Sequence, residues 1–285
     1  MTVAPVIALS HGGGPLPLLG DKNHKAIIYS LQHRVPKILR LGTASAPKAI
    51  VLVTAHWTTR SPAISSGAQP SLYFDYHGFP PESYRIKYPA AGAPEIAAEI
   101  KASFQEQGLT ADLDPSRGWD HGVFVPMTLV NPAADIPIVQ MSVLASEDAE
   151  QHLRMGQALA RLREKNIAIV GSGFASLHNF AEMRPLLSGG DAKHIRAFKG
   201  VSDEWNRALT RATTTPGKED RWNALKGWRA LPHADRMHPP RAGEHFMPLI
   251  VCAGAASDGE EAGTYKDVFS GVDIYTYYWG GGELD

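Results

Sequence analysis

The chain has 285 residues, with 28 Lys and Arg against 29 Asp and Glu, a formal net charge of −1. Such a balance offers no basic surface to neutralise a run of phosphates, so nucleic acid is not an expected partner. One cysteine excludes a disulfide within the chain, no apolar stretch approaches the roughly 18 residues of a membrane span, and the start lacks a secretory leader's pattern; a soluble, cytoplasmic protein without membrane association is predicted.

The length suits a single domain over 1–285. The first strand signal is "APVIALS", which breaks at His11 into "GGGPLP". "KAIIYSLQHRVPKILRLG" then spaces Ile27, Leu31, Val35 and Ile38 for one amphipathic helix, kinked by Pro36 and ended by Gly42. "AIVLVTA" reads as a second strand, and residues 60 to 92, rich in Pro, Gly and aromatics, as a long loop rimming a cleft. "APEIAAEIKASFQEQG" is helical, "DIPIVQMSV" a strand, "EDAEQHLRMGQALARLREKN" a helix and "NIAIVGSG" a fourth strand. Residues 191 to 229 read as covering helices, 229 to 245 as another long loop, and "VDIYTYYWGGG" as a final edge strand. Strand and helix alternate, which predicts an α/β fold: a central, mostly parallel or mixed sheet flanked by helices, with long loops around a cleft.

The histidines fall at informative places. His11 and His56 leave the first two strands, and in open α/β sheets ligands gather at the carboxyl ends of strands. His178 follows the fourth strand, where Gly171 and Gly173 permit a tight turn. The doublet Glu244–His245 introduces the buried run "MPLIVCAGAA", and since neighbours point different ways, only one of the two is expected to ligate. His121 heads a helix with Asp120 as its N-cap. Imidazoles on several strand ends suggest a divalent metal. Cys252 is expected buried and inert, His24, His33, His77, His152, His194 and His233 solvent-facing, and His238 at the rim of the site. "SHGGGP" lacks the spacing of a phosphate cradle, and Pro15 and Pro17 remove donors; "GSGFA" holds its Ser172 at the wrong position for a nucleophile elbow.

Taken together, "SHGGGPLPL", "TAHW", "DYHGFPPESYRIKYPAAGAPEIA", "WDHGVFVPMTL", "IPIVQMSV", "GSGFASLHNF" and "EHFMPL" occur in an order that resembles the 4,5-DOPA dioxygenase group of class III extradiol ring-cleavage dioxygenases over nearly the whole chain. The resemblance implies one Fe(II) or Zn(II) ion, a small-molecule catechol substrate and O₂. It implies His11 and His56 as metal ligands with His245, or alternatively Glu244, as the third. His178 would be acid/base or a fourth ligand, and His121 a second catalytic histidine in the pocket. Trp57, Tyr76 and Phe79, with Tyr73 and Phe74, would wall a flat ring, and His238 would stand beside the substrate. Arg85, Arg236 or Arg241 could meet a substrate carboxylate, or simply be solvated. A zinc-dependent hydrolase using Glu244 as base, or a non-catalytic metal-binding member of the fold, is the alternative.

Overall fold

The four Val- and Ile-rich runs are buried on both faces, which is why they carry no period-2 alternation. In this computed structural model, which describes residues 3–189 and 191–284, β1 (Val6–Ser10) leads through two short 3-10 turns into α1 (Lys25–Tyr29), a π-helical turn (Ser30–Arg34) and α2 (Val35–Ile38). There follow β2 (Ala49–Thr59), β3 (Ala63–Ser65), α3 (Pro94–Glu106), β4 (Asp112–Asp114), α4 (His121–Val130), β5 (Ile138–Leu144), α5 (Ala149–Glu164) and β6 (Ile167–Gly173). The chain continues as α6 (Phe180–Leu187), α7 (Ala192–Thr213), α8 (Lys218–Lys226), α9 (Ala234–Met237), α10 (Met247–Ala255), β7 (Ala262–Phe269) and β8 (Val272–Trp279).

The strands form one mixed eight-stranded sheet in the order β4-β3-β5-β2-β6-β1-β8-β7. Its centre, β5-β2-β6-β1, is parallel. The carboxyl ends of β1, β2 and β6 therefore open on the same edge, where two of the strand-end histidine motifs lie side by side in register. The helices pack closely. A Cβ added at Gly156 of α5 would lie 2.0 Å from Val251 O of α10, and one at Gly254 would lie 2.2 Å from Leu153 O, so these small residues let the two backbones touch. No helix among the described residues is long and apolar enough to cross a membrane.

Three local expectations differ from the structure. Residues 25–38 are two α segments joined by a π-helical turn, placed just before Pro36, which has no N–H to return to the preceding turn. The final strand β8 is not an edge: it lies between β1 and β7, because Ser270 and Gly271, both at positive φ, reverse the chain in a two-residue hairpin. The edge strand β7 escaped the pattern because its exposed face carries Val268, 57% exposed, so its alternation does not sort apolar from polar. His24 and His152 are also buried, not solvent-facing. His152 donates from Nδ1 to Asp148 O and accepts the Leu144 N–H at Nε2, which ties α5 to β5.

Candidate metal centre

Each imidazole is placed by a backbone device. The His11 N–H bonds Gly173 O, extending the β1–β6 pairing by one residue past the strand. His56 stands inside β2, where the pairing with β5 shifts register between Val53 and Thr58, an irregularity of the kind that re-aims side chains beside sites. His245 is pinned by the residue that follows β6: its carbonyl accepts the Phe174 N–H at 2.9 Å. Gly173 permits this approach, since a Cβ there would sit 2.4 Å from that same carbonyl oxygen.

These three rings converge. His56 Nε2 lies 3.1 Å from His11 Nε2 and 3.2 Å from His245 Nε2. Their Nδ1 atoms are directed elsewhere. Ser172 Oγ gives its proton to Gly122 O and so accepts from His11 Nδ1 at 3.0 Å. Glu244 Oε1 accepts from His245 Nδ1 at 2.9 Å, and Asp75 Oδ2 faces His56 Nδ1 at 3.6 Å. A neutral imidazole protonated at Nδ1 presents a lone pair at Nε2. The His56 lone pair thus meets those of His11 and His245 at about 3 Å, with all three ligand atoms within 4.8 Å of one another, mutually repulsive unless a cation lies among them. Bonds of about 2.1 Å to one divalent ion imply donor separations of roughly 3.0–3.4 Å, so this donor set fits such an ion.

Burial holds all three imidazoles neutral. Desolvation pushes His11 well below its ordinary value, reinforced by His245, His121 and His178; burial with His245, His121 and His11 does the same to His56, and burial with His178, His121 and His238 to His245. The carboxylates behind them stay ionised. Burial alone would raise Asp75 and Glu244, but hydrogen bonding and charge from His121 and His178 respectively bring both below the usual carboxylate range.

Two further histidines flank this set. The His121 ring stands 3.7 Å from that of His56, centroid to centroid, with Nδ1 donating to Asp75 Oδ1 at 2.8 Å. Asp75 Oδ1 also accepts the His121 backbone N–H, so it performs the N-capping expected of Asp120. Asp120 turns inward instead, accepting from Thr54, Arg117 and Gln140. His178 stacks on His245 at 3.4 Å with 14° between planes, its Nδ1 3.4 Å from Glu244 Oε1. Metal-compatible groupings are therefore His11–His56–His245, His56–Asp75–His121 and His178–Glu244–His245. In the last, Glu244 Oε1 meets the Nδ1 face of His245, the side opposite the nitrogen that converges with His11 and His56.

A cavity of about 310 Å³ opens on these rings and is lined by His11, His56, His121, His178 and His245 together with Tyr76 and Phe79. Trp57 and His238 do not line it. Trp57 follows His56 along a strand and points to the opposite face, under the Arg117 guanidinium. His238 is fully buried against Trp205, Trp228 and Phe246, with Nε2 donating to Ala175 O, and burial pushes its pKa down to about 3. Of the other aromatics expected as walls, Tyr73 faces solvent beside Arg117, and Phe74 packs on Phe124. Sequence reasoning missed His24, which lines the cavity, accepts the Gly13 N–H at Nε2 and donates to Asp21. The three-residue spacing of Asp21 and His24 was the available signal. It also missed Asp75, the one carboxylate in the "YFDYHGF" loop.

Comparison with known proteins gives one direction. Residues 5–277 match the family described as the catalytic LigB subunit of aromatic ring-opening dioxygenase. The chain is 60% identical to the dioxygenase tasH of Hapsidospora irregularis over 289 residues, covering 100% of this chain and 88% of that protein. It is 33% identical to the 4,5-DOPA dioxygenase extradiol of Beta vulgaris, covering 89% and 87%. The crystal structure of an uncharacterised protein from Escherichia coli K12 superposes with a TM-score of 0.71 at 26% identity, covering 97% of this chain and 100% of that one.

Proposed function

The chain belongs to the LigB family of aromatic ring-opening dioxygenases and is an extradiol dioxygenase, and from that premise we propose that His11, His56 and His245 hold one divalent ion beside which a catechol ring is opened by O₂. The convergence of their three Nε2 lone pairs carries this reading. Held by these residues, an ion would acidify the substrate hydroxyls and mediate electron transfer between the catechol and O₂. Because zinc has no accessible redox change, Fe(II) is the working ion, with Zn(II) able to fill the same donors.

The chain's own residues handle protons and the ring. His178 holds Nδ1 toward Glu244, which leaves Nε2 to take a proton from a substrate hydroxyl and return it to the opened ring. His121, anchored through Asp75, hydrogen-bonds a substrate oxygen from Nε2. Tyr76 and Phe79 border the ring. Both atoms of O₂ enter the product as the carbon–carbon bond beside the two hydroxyls breaks, so no external reductant is needed. Glu244 serves as the partner of His245 and His178, not as the third ligand. That employment also leaves it unavailable as the base of a zinc hydrolase.

The test is anaerobic loading with Fe(II), metal analysis, and exposure to a panel of catechols in air with oxygen uptake and product absorbance followed. One ion per chain, lost in His11→Ala, His56→Ala and His245→Ala, is expected. Undiminished metal content in those variants, or absence of oxygen uptake with every catechol, would overturn the assignment.

A further inference from the structure

The cavity has a second character besides its histidines. Phe180, Met183 and Leu187 fall at i, i+3 and i+7 of α6 and line it as one stripe, with Phe174 and Phe269 completing an apolar surround. The stripe runs from the interior to the rim: Met183 is buried, whereas Phe180 is 63% exposed and Leu187 36%. An apolar stripe that lines the cavity and continues to its rim gives an apolar substituent a surface to be buried against.

Charge points the same way. Among the described residues, no Lys, Arg, Asp or Glu lines the cavity. The charged groups next behind it are carboxylates, Asp75, Glu244 and Asp21, each bonded to one of the lining histidines. With the catechol oxygens directed at the ion, a substrate carboxylate elsewhere on the ring would find no Lys or Arg side chain to pair with, and the nearest fixed charges would be of its own sign. Of the arginines that could serve, Arg236 is paired with Glu182, and neither Arg85 nor Arg241 lines the cavity. Arg184 reaches only the surface cleft that adjoins Leu187.

We infer that this enzyme acts on uncharged catechols bearing an apolar substituent, seated along Phe180, Met183 and Leu187, in preference to carboxylated catechols. The inference rests on the ring-cleavage reading above and selects within it. A cavity of about 310 Å³ has room for one ring and a short side chain.

The experiment compares 4-tert-butylcatechol and 4-methylcatechol with protocatechuate and DOPA, by turnover on the iron-loaded protein and by calorimetric binding to the zinc-loaded protein. At least about a tenfold advantage in kcat/KM and in affinity is expected for the alkyl catechols, since apolar pockets discriminate on that scale. Phe180→Ala should erode the advantage, and Leu187→Arg, at a half-exposed position that tolerates charge, should shift preference toward protocatechuate. Arg184→Ala should leave the ranking unchanged. Carboxylated catechols bound or consumed as well as the alkyl ones, or loss of their binding in Arg184→Ala, would overturn the inference. Absence of turnover with every catechol would instead count against the ring-cleavage reading, and the binding ranking would still decide the substrate class.

Discussion

Asp75 sets the orientation of two imidazoles at once, and replacing it with Asn isolates that contribution. In the native site Oδ1 accepts both the backbone N–H and Nδ1–H of His121, at 2.9 and 2.8 Å, while Oδ2 faces His56 Nδ1 at 3.6 Å. An Asn amide keeps one oxygen acceptor but turns an NH₂ donor toward the second ring. If the oxygen stays with His121, the donor faces His56 Nδ1, and the favoured His56 tautomer moves its proton to Nε2, the nitrogen proposed to ligate. Hydrogen bonds to a charged carboxylate are worth about 1.5–3 kcal/mol, and loss of partners behind metal-binding histidines weakens metal affinity about 10–100-fold. Asp75→Asn should accordingly bind Zn(II) about 10–100-fold more weakly in competition with a chromophoric chelator. Far-ultraviolet dichroism and the urea midpoint check that the variant is folded, and Asp75→Glu should recover part of the loss. Zinc affinity within twofold of the native protein, in a folded Asp75→Asn variant, would refute the proposed orientation of His56.

Other outcomes follow from the same geometry. Glu244→Gln should keep one metal ion per chain at reduced affinity, whereas His245→Ala should lose it; the reverse result would make Glu244 the third ligand. Gly173→Ala would drive a methyl to 2.4 Å from His245 O and should destabilise the fold by about 1–3 kcal/mol while loosening the metal, both read by denaturation with and without zinc. Gly200→Ala, on the exposed face of α7 with nothing within 4 Å of the new Cβ, should instead stabilise by about 0.5–1 kcal/mol. His152 is held neutral by burial, its pKa lowered from 6.5 to about 4. Its contribution to stability is therefore complete above pH 6.5 and is lost as pH falls toward 4, by up to about 1.4 kcal/mol per pH unit. His152→Gln, which can still accept from Leu144 N–H and donate to Asp148 O, should flatten the acid limb of the urea-midpoint profile by one proton; an unchanged slope would show that His152 protonates freely.

The layering of this protein and the position of His11 just past its strand were determined by local sequence alone; His56, expected to follow the second strand, stands inside it, because β2 runs on to Thr59. Runs such as "NIAIVGSG" are legible because burial on both faces demands continuous apolar side chains, and "SHGGGP" because glycine breaks a strand where it stands. Which nitrogens meet was decided by the tertiary structure. His11, His56 and His245 are linked through register between β1, β2 and β6 and through a single backbone bond from Phe174, contacts between residues up to 189 positions apart in the chain. Separation in sequence also hid Asp75, whose partner is 46 residues away, while the burial of His238 against Trp205 and Trp228 depends on how the intervening helices pack. Even adjacent residues needed the fold: His56 and Trp57 differ in fate because a strand sends neighbours to opposite faces, and only the packed sheet says which face holds the cavity.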